Sequence, residues 1–461
     1  MKLRFLVTRY LTVVLMLLLS ATLVPAGGQA LDEVISGFDQ PAEKTGTPPA
    51  GEKQRRLPPW LTLRGRIGLS AAVNVAHHAP EKNAPDDRGL SMLRTTMALE
   101  SDATIGRWKA RVSGHAFYDA AYALKDRSAY SQALLDLYED EFEWDETYLA
   151  GRLSDHLDIK TGRQIVVWGK SDNLRVTDIL NPLDNRVPGL VDIKYRRLPV
   201  AMTKLDYYTG AWNLSAIVLH EVRFDKNPVF NSDFFPGRYP LPPEDIPNLS
   251  LDHQQYALAA NGIFRGWDLS LYAARIFDPR SHLSRNTDGR LIRSHNRITM
   301  AGLTANMAFG NWLLKGESAG FDGLAFGNRP DREFTRLDLM AGVEYTGFSE
   351  THLSLEVVNR HLFDFDDRLR AMPDLAEEDT FQTVATLVRD FANDTLSLKI
   401  LLTAFGGHGE DGRMERIQLD NDLTDDITFT IGLLLYQSAD DGLLADIGSN
   451  DRVFMEMTWD F

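Results

Sequence analysis

The sequence predicts an all-β fold: a transmembrane antiparallel β-barrel of about eighteen strands, with short periplasmic turns and long external loops. Three observations predict it. Apolar and polar residues alternate with period two in successive segments from Leu61 to the C-terminus, the connections are alternately short and long, and tryptophan recurs just after glycine at short connections.

The chain begins differently. Lys2, Arg4 and Arg9 precede an apolar run from Tyr10 to Val24 and a small-residue stretch ending Gly28-Gln29-Ala30, the layout of a secretory signal peptide. Residues 1–30 are expected to be cleaved off, because an apolar run of about fifteen residues is short for a membrane-spanning helix. Residues 31–60 then read as an N-terminal periplasmic segment. It has a short helical start, Leu31 to Phe38, and a linker with Pro41, Thr47, Pro48, Pro49 and Gly51 that cannot bury much apolar surface. Residues 61–461 form the barrel.

Composition removes several function classes. The formal charge is -16, and cleavage would remove three further positive charges, so the chain has no global attraction for nucleic acid. With no cysteine, disulfides, thiolate metal sites and cysteine nucleophiles are excluded. Beyond the signal segment no run of 18 or more apolar residues occurs, which excludes spanning helices. The choices left are a soluble secreted β protein and a closed barrel, the one sheet whose backbone is fully paired in lipid.

Within the barrel region, Leu61, Leu63, Ile67, Leu69, Val73 and Val75 share one face against Thr62, Arg64, Arg66, Ser70 and Asn74. The next hairpin sets Leu93, Met97 and Leu99 against Arg94, Thr96 and Glu100, then Trp108, Ala110, Val112 and Tyr118 against Lys109, Arg111 and His115. Later, Leu337, Leu339, Val343 and Tyr345 oppose Arg336, Asp338 and Glu344, and Leu353, Leu355 and Val357 oppose His352, Ser354 and Glu356. A soluble sandwich alternates in the same way, so loop length and aromatic placement must decide. Four tight turns read Gly106-Arg107-Trp108, Gly210-Ala211-Trp212, Gly266-Trp267 and Gly310-Asn311-Trp312. Tryptophans at one common height are what an interfacial girdle requires. Sixteen strands is the alternative count, if segments 413–422 and 426–437 pair outside the wall.

The last segment alternates Val453, Met455, Met457, Trp459 and Phe461 with Arg452, Glu456, Thr458 and Asp460. It resembles the C-terminal strand that the outer-membrane assembly machinery reads, with Trp459 and Phe461 as its aromatic signal.

The connection between the fifth and sixth segments has a composition of its own. From Arg163 to Arg197 it holds Arg163, Lys170, Arg175, Arg186, Lys194, Arg196 and Arg197 against Asp172, Asp178, Asp184 and Asp192, and it has apolar residues enough to pack. Two placements are open: folded into the barrel as a constriction, or packed outside as a lid whose aspartates neutralise its arginines. Candidate constriction residues are Arg163, Trp168, Asp172, Arg175, Asp178, Asp184, Arg186, Arg196 and Arg197. Candidate lumen residues are Arg64, Arg66, Arg94, Lys109, Arg111, Asp158, Lys160, Arg336, Asp338, Glu344 and Glu356.

Gly162-Arg163-Gln164, Trp168-Gly169, Asn181-Pro182-Leu183-Asp184 and Leu198-Pro199-Val200-Ala201-Met202-Thr203-Lys204 resemble an outer-membrane barrel family of unknown function, loosely similar to alginate-export and porin-like barrels. The stretch Leu31 to Asp39 is similar to the start of those proteins. The resemblance is sharpest over about residues 140 to 222; it implies a barrel and no particular activity.

The function expected is a porin-like channel in the Gram-negative outer membrane, passing small or oligomeric solutes that are polar or anionic. Its expected partners are outer-membrane lipid, the assembly machinery and an unidentified solute. A scaffold coupled to an inner-membrane transporter is the second reading. An enzyme is the third, and neither Gly-x-Ser-x-Gly nor His-Glu-x-x-His occurs. The acidic run Glu139 to Glu146 and the group Asp420, Asp422, Asp425 and Asp426 lack the glycine and terminal glutamate of an EF-hand loop. No catalytic, cofactor or metal site is assigned.

Overall fold

In the computed structural model, residues 57–461 are described, apart from 78–84, 192, 236, 238, 440–443 and 445–446. The expected signal peptide and the helical start at Leu31 to Phe38 lie outside the described residues.

The wall strands are Leu61–Asn74 (β1), Gly89–Ile105 (β2), Trp108–Asp119 (β3), Asp140–Ser154 (β4), Leu157–Gln164 (β5), Val200–Thr209 (β6), Trp212–Leu219 (β7), Gln255–Phe264 (β8) and Trp267–Phe277 (β9). They continue with Arg297–Phe309 (β12), Trp312–Leu324 (β13), Phe334–Phe348 (β14), Thr351–Leu362 (β15), Asp379–Phe391 (β16), Leu396–Phe405 (β17), Arg413–Asp422 (β18), Ile427–Gln437 (β19) and Arg452–Asp460 (β20). All eighteen belong to one sheet. Each pairs antiparallel with its neighbours, β9 pairs with β12, and β1 pairs with β20, from Arg66↔Asp460 to Asn74↔Arg452, so the sheet closes on itself. Both doubtful segments, β18 and β19, are wall strands, which settles the count at eighteen rather than sixteen.

Alternation dictates which way each side chain points. On β1, Leu63, Leu69 and Val73 are exposed on the outer face while Gly68, Ala72 and Asn74 are buried on the inner one. The same inversion of a soluble protein runs around the wall: Leu99, Leu149, Leu258, Leu303, Leu355 and Met457 are all exposed, as lipid-facing residues must be. At the tight turns Gly106 and Gly310 take φ of 61° and 57°, open to glycine without steric cost. The tryptophans that follow join aromatic clusters: Trp267 stacks on Phe264 at 4.3 Å, Phe264 meets Trp212 at 5.7 Å, and Trp312 meets Tyr345 at 4.4 Å.

The long connections carry structure that the period-two pattern did not indicate. Between β3 and β4 lie the short helices Ala121–Leu124 (α1) and Gln132–Tyr138 (α2), the second capped by Ser131 Oγ, which accepts from the Leu134 amide. A turn of helix, Ile193–Arg196 (α3), precedes β6, and a hairpin of His282–Arg285 (β10) with Leu291–Ser294 (β11) stands apart from the wall.

Candidate functional site: a loop across the barrel lumen

The connection 165–199 does not leave the barrel. Its apolar residues Val166, Trp168, Leu174, Val176 and Leu180 are buried against inward side chains of β6 to β9 and β12 to β16, among them Met202, Ile217, Tyr272, Met300, Phe321 and Val358. Trp168 stacks on Tyr272 with centroids 4.6 Å apart. The loop explains why these wall strands offer an apolar inner face: they enclose packed side chains, not water.

Two buried wall carboxylates pin the same stretch. Glu317 on β13 accepts from the amides of Lys170, Ser171 and Thr177 and from Thr177 Oγ1. Glu356 on β15 accepts from Ser171 Oγ at 2.8 Å and from the amides of Asp172 and Asn173. Gly169 is required here: its φ is 89°, and a Cβ would stand 2.8 Å from a Glu317 oxygen. The loop then crosses to the opposite wall. Tyr436 Oη on β19 donates to the Pro188 carbonyl at 2.6 Å, and Arg416 on β18 donates to the carbonyls of Gly189 and Leu190. Val187 and Leu190 pack there against a second apolar cluster that contains Met92, Leu434, Tyr436 and Phe454. The loop therefore bridges the lumen between two apolar clamps.

A second inward segment, between β7 and β8, supports it. Phe234 meets the Tyr436 ring at 5.5 Å, Asp233 pairs with the buried Arg452 at 2.8 Å, and Asp225 accepts from the Leu183 amide. Lys226 pairs with Glu141 and Glu143 of β4.

Most of the candidate constriction charges are paired. Asp178 holds Arg197 at 2.9 Å, and Arg175 donates to the Asp178 and Asn181 carbonyls. Arg186 forks onto Asp184 and also reaches Glu141 at 2.7 Å. Burial opposes charge on Arg186, yet the hydrogen bonds and charges of Asp184 and Glu141 outweigh it and raise its pKa. Asp172 projects into the lumen, its side chain 63% exposed, and pairs with Lys315 at 2.6 Å. Arg163 stands at the end of β5, apart from the others, bound to Glu221 at 3.2 Å and to the Trp144 carbonyl.

Arg196 differs. Among the described residues its guanidinium has no ion pair, and its buried Nε has no hydrogen-bond partner. Burial, reinforced by the like charge of Arg175 and less by that of Arg416, lowers its pKa against the opposing charges of Asp184 and Asp225. Such a cation is a site that a solute anion can complete.

The candidate lumen residues fall on the inner face by alternation and also pair. Arg64 meets Glu100 at 3.2 Å, Arg66 meets Asp460 at 2.6 Å, and Arg111 meets Asp102 at 2.8 Å, with Lys109 3.6 Å from the same carboxylate. Arg94 lies 3.4 Å from Asp119 and over the Phe117 ring, and Arg336 reaches Asp338 at 2.7 Å. Arg152 faces Asp158, Lys160 reaches Glu146, and Glu344 is shared by Lys315 and His352. Arg64, Arg66 and Lys109 nevertheless keep 52%, 57% and 44% of their side chains exposed. Around β1 to β3, near the short turns, the pairs therefore line water instead of filling the barrel. Glu317, Lys315, Arg416 and Tyr436 were not singled out from sequence; the inward parity of Lys315 and Glu317 on one strand was the available sign.

The fold is that of porins. The chain is similar to OccAB2 of Acinetobacter baumannii, with TM-score 0.51, 10% identity, 87% of this chain and 98% of that one covered. It is similar to OccK9 (OpdG) of Pseudomonas aeruginosa, with TM-score 0.51, 12% identity and coverage of 87% and 97%. It is also similar to OccK2 (OpdF) of P. aeruginosa, solved in complex with glucuronate, with TM-score 0.50, 13% identity and the same coverage. No curated protein matches the sequence. Residues 81–461 match a family described as a protein of unknown function, DUF1302, and the chain belongs to that family.

Proposed function

We propose that this protein is an outer-membrane, porin-like channel whose lumen is narrowed by the loop 165–199 and which favours anionic, carboxylate-bearing solutes. The observation that carries the reading is the half-buried Arg196 guanidinium, in the loop that crosses the lumen, which has no ion pair among the described residues and whose Nε has no hydrogen-bond partner. Where water is scarce, one fixed charge outweighs many screened ones. Guanidinium grips a carboxylate through two parallel hydrogen bonds, and glucuronate, held by a porin of this fold, is a solute of that chemistry.

The test is the reversal potential in a planar bilayer under a salt gradient. Arg196→Gln is expected to shift ion preference toward cations, and Arg196→Lys to stay near wild type. An unchanged reversal potential in Arg196→Gln would remove Arg196 from the transport path. The membrane placement has its own test: the mature chain should fractionate with the outer membrane and show heat-modifiable mobility in gels. A freely soluble periplasmic protein would refute it.

A further inference from the structure

The outer face of the wall carries two arginines at the long-loop end. On β9, Trp267, Leu271 and Ala273 face outward with Arg275, while Tyr272, Ala274 and Ile276 are buried inside. On β12, Arg297 and Thr299 face outward, and Ile298 and Met300 inward. The register Arg275↔Thr299 and Arg297↔Phe277 makes the two arginines diagonal neighbours on adjacent strands.

Neither charge is neutralised by a carboxylate. Arg275 donates to Thr299 Oγ1 at 2.5 Å. Arg297 donates to the carbonyls of Gln254 and Asp252 and lies over the Phe277 ring at 4.4 Å. Among the described residues no carboxylate oxygen comes within 4.0 Å of either; Asp322, opposite Thr299 on β13, accepts instead from Thr335.

Height decides what such a pair can meet. Arg275 stands eight positions beyond the girdle residue Trp267. At about 3.3 Å per residue and about 40° of tilt that is roughly 20 Å, close to the ~25 Å of the apolar band. A lipid-facing arginine is costly at the midplane and tolerated at the interface, where lipid headgroups lie. Exposed Leu258, Leu271 and Leu303 below it offer an apolar surface to acyl chains, which a soluble anion lacks.

We propose that Arg275 and Arg297, with Thr299 and the exposed Tyr256 as the residues opposite Arg275 on β12 and β8, bind the phosphate of an anionic lipid in the leaflet at the long-loop end. The proposal rests on the membrane reading above and not on channel activity. The experiment titrates the purified full-length barrel, in maltoside micelles, with bisphosphorylated lipid A and follows binding by native mass spectrometry. A surface arginine contributes about 1 kcal/mol toward an anionic lipid, about fivefold in affinity. Arg275→Gln with Arg297→Gln is therefore expected to weaken binding by about tenfold or more, Arg275→Lys with Arg297→Lys to retain most of it, and the dephosphorylated glycolipid to bind both forms equally weakly. Equal lipid A affinity in wild type and the glutamine variant overturns the proposal, as does displacement of the lipid by millimolar inorganic phosphate. Heat-modifiable mobility is checked on the same samples. Its absence in wild type would overturn the membrane reading as well, whereas its presence with equal binding overturns the lipid site alone.

Discussion

Arg416→Gln combined with Tyr436→Phe is expected to raise single-channel conductance by roughly twofold or more, because it unhooks the tip of the loop that narrows the lumen. The tip is held by two hydrogen bonds from Arg416 and one from Tyr436, and by only two half-buried apolar side chains, Val187 and Leu190. The hydrogen bonds are worth about 1.5–3 kcal/mol each for the charged donor and about 0.5–1.5 for the neutral one. The root is held by five buried apolar side chains at about 1.5–3 kcal/mol apiece, with the Glu317 and Glu356 hydrogen bonds in addition. The tip is thus the weaker end and should swing while the root stays docked. Glu317→Ala with Glu356→Ala acts on the root instead. It strands the buried amide of Thr177, at about 1–3 kcal/mol, and the part-buried amides of residues 170–173, and should lower the temperature of the heat-modifiable transition more than the tip variant does. Wild-type conductance in the Arg416 and Tyr436 variant would mean that the tip does not obstruct the path.

The wall was legible in the sequence because a barrel writes its geometry into every strand: Leu63 out, Arg64 in, and so on around eighteen segments. The course of the loop 165–199 was not. Val166, Leu174 and Val176 can pack equally well on an inner wall or against other external loops, and nothing local distinguishes the two. The sign lay elsewhere in the chain, in inner-face positions such as Met202, Ile217, Met300 and Val358 that are apolar where a water-filled lumen would be polar. Alternation breaks there because both faces of those strands are dry. Charge counting misled for a related reason. Seven basic residues against four acidic ones suggested a positive constriction, but Asp178 alone engages Arg175 and Arg197, Glu141 and Asp268 on the wall take up Arg186 and Lys170, and Glu221, just past β7, takes up Arg163. Only partners distant in sequence could reveal that Arg196 is left without an ion pair among the described residues.

Replacing Trp459 and Phe461 together by aspartate is expected to leave almost no folded barrel in the outer membrane, with degraded chain in the periplasm. These residues end β20 at the seam where the barrel closes. Phe461 exchanges backbone hydrogen bonds with Gly65 at 2.8 and 2.9 Å, its ring covers Gly65 so closely that a Cβ there would stand 2.3 Å from it, and Trp459 lies 4.9 Å from that ring. Both side chains face outward and are about half exposed, 48% and 50%. Carboxylates at the edge of the apolar band cost about 0–1 kcal/mol each, too little to unfold a barrel with eighteen paired strands. A near-complete loss in cells would therefore report failed recognition of the terminal strand by the assembly machinery, not an unstable product. Two controls separate these causes. The same variant refolded from denaturant into detergent should regain heat-modifiable mobility. Trp312→Asp with Tyr345→Asp, an aromatic pair near the same turns but away from the terminal strand, should still reach the outer membrane. Wild-type levels of folded Trp459 and Phe461 variant in cells would show that these two aromatics are girdle residues and carry no assembly signal.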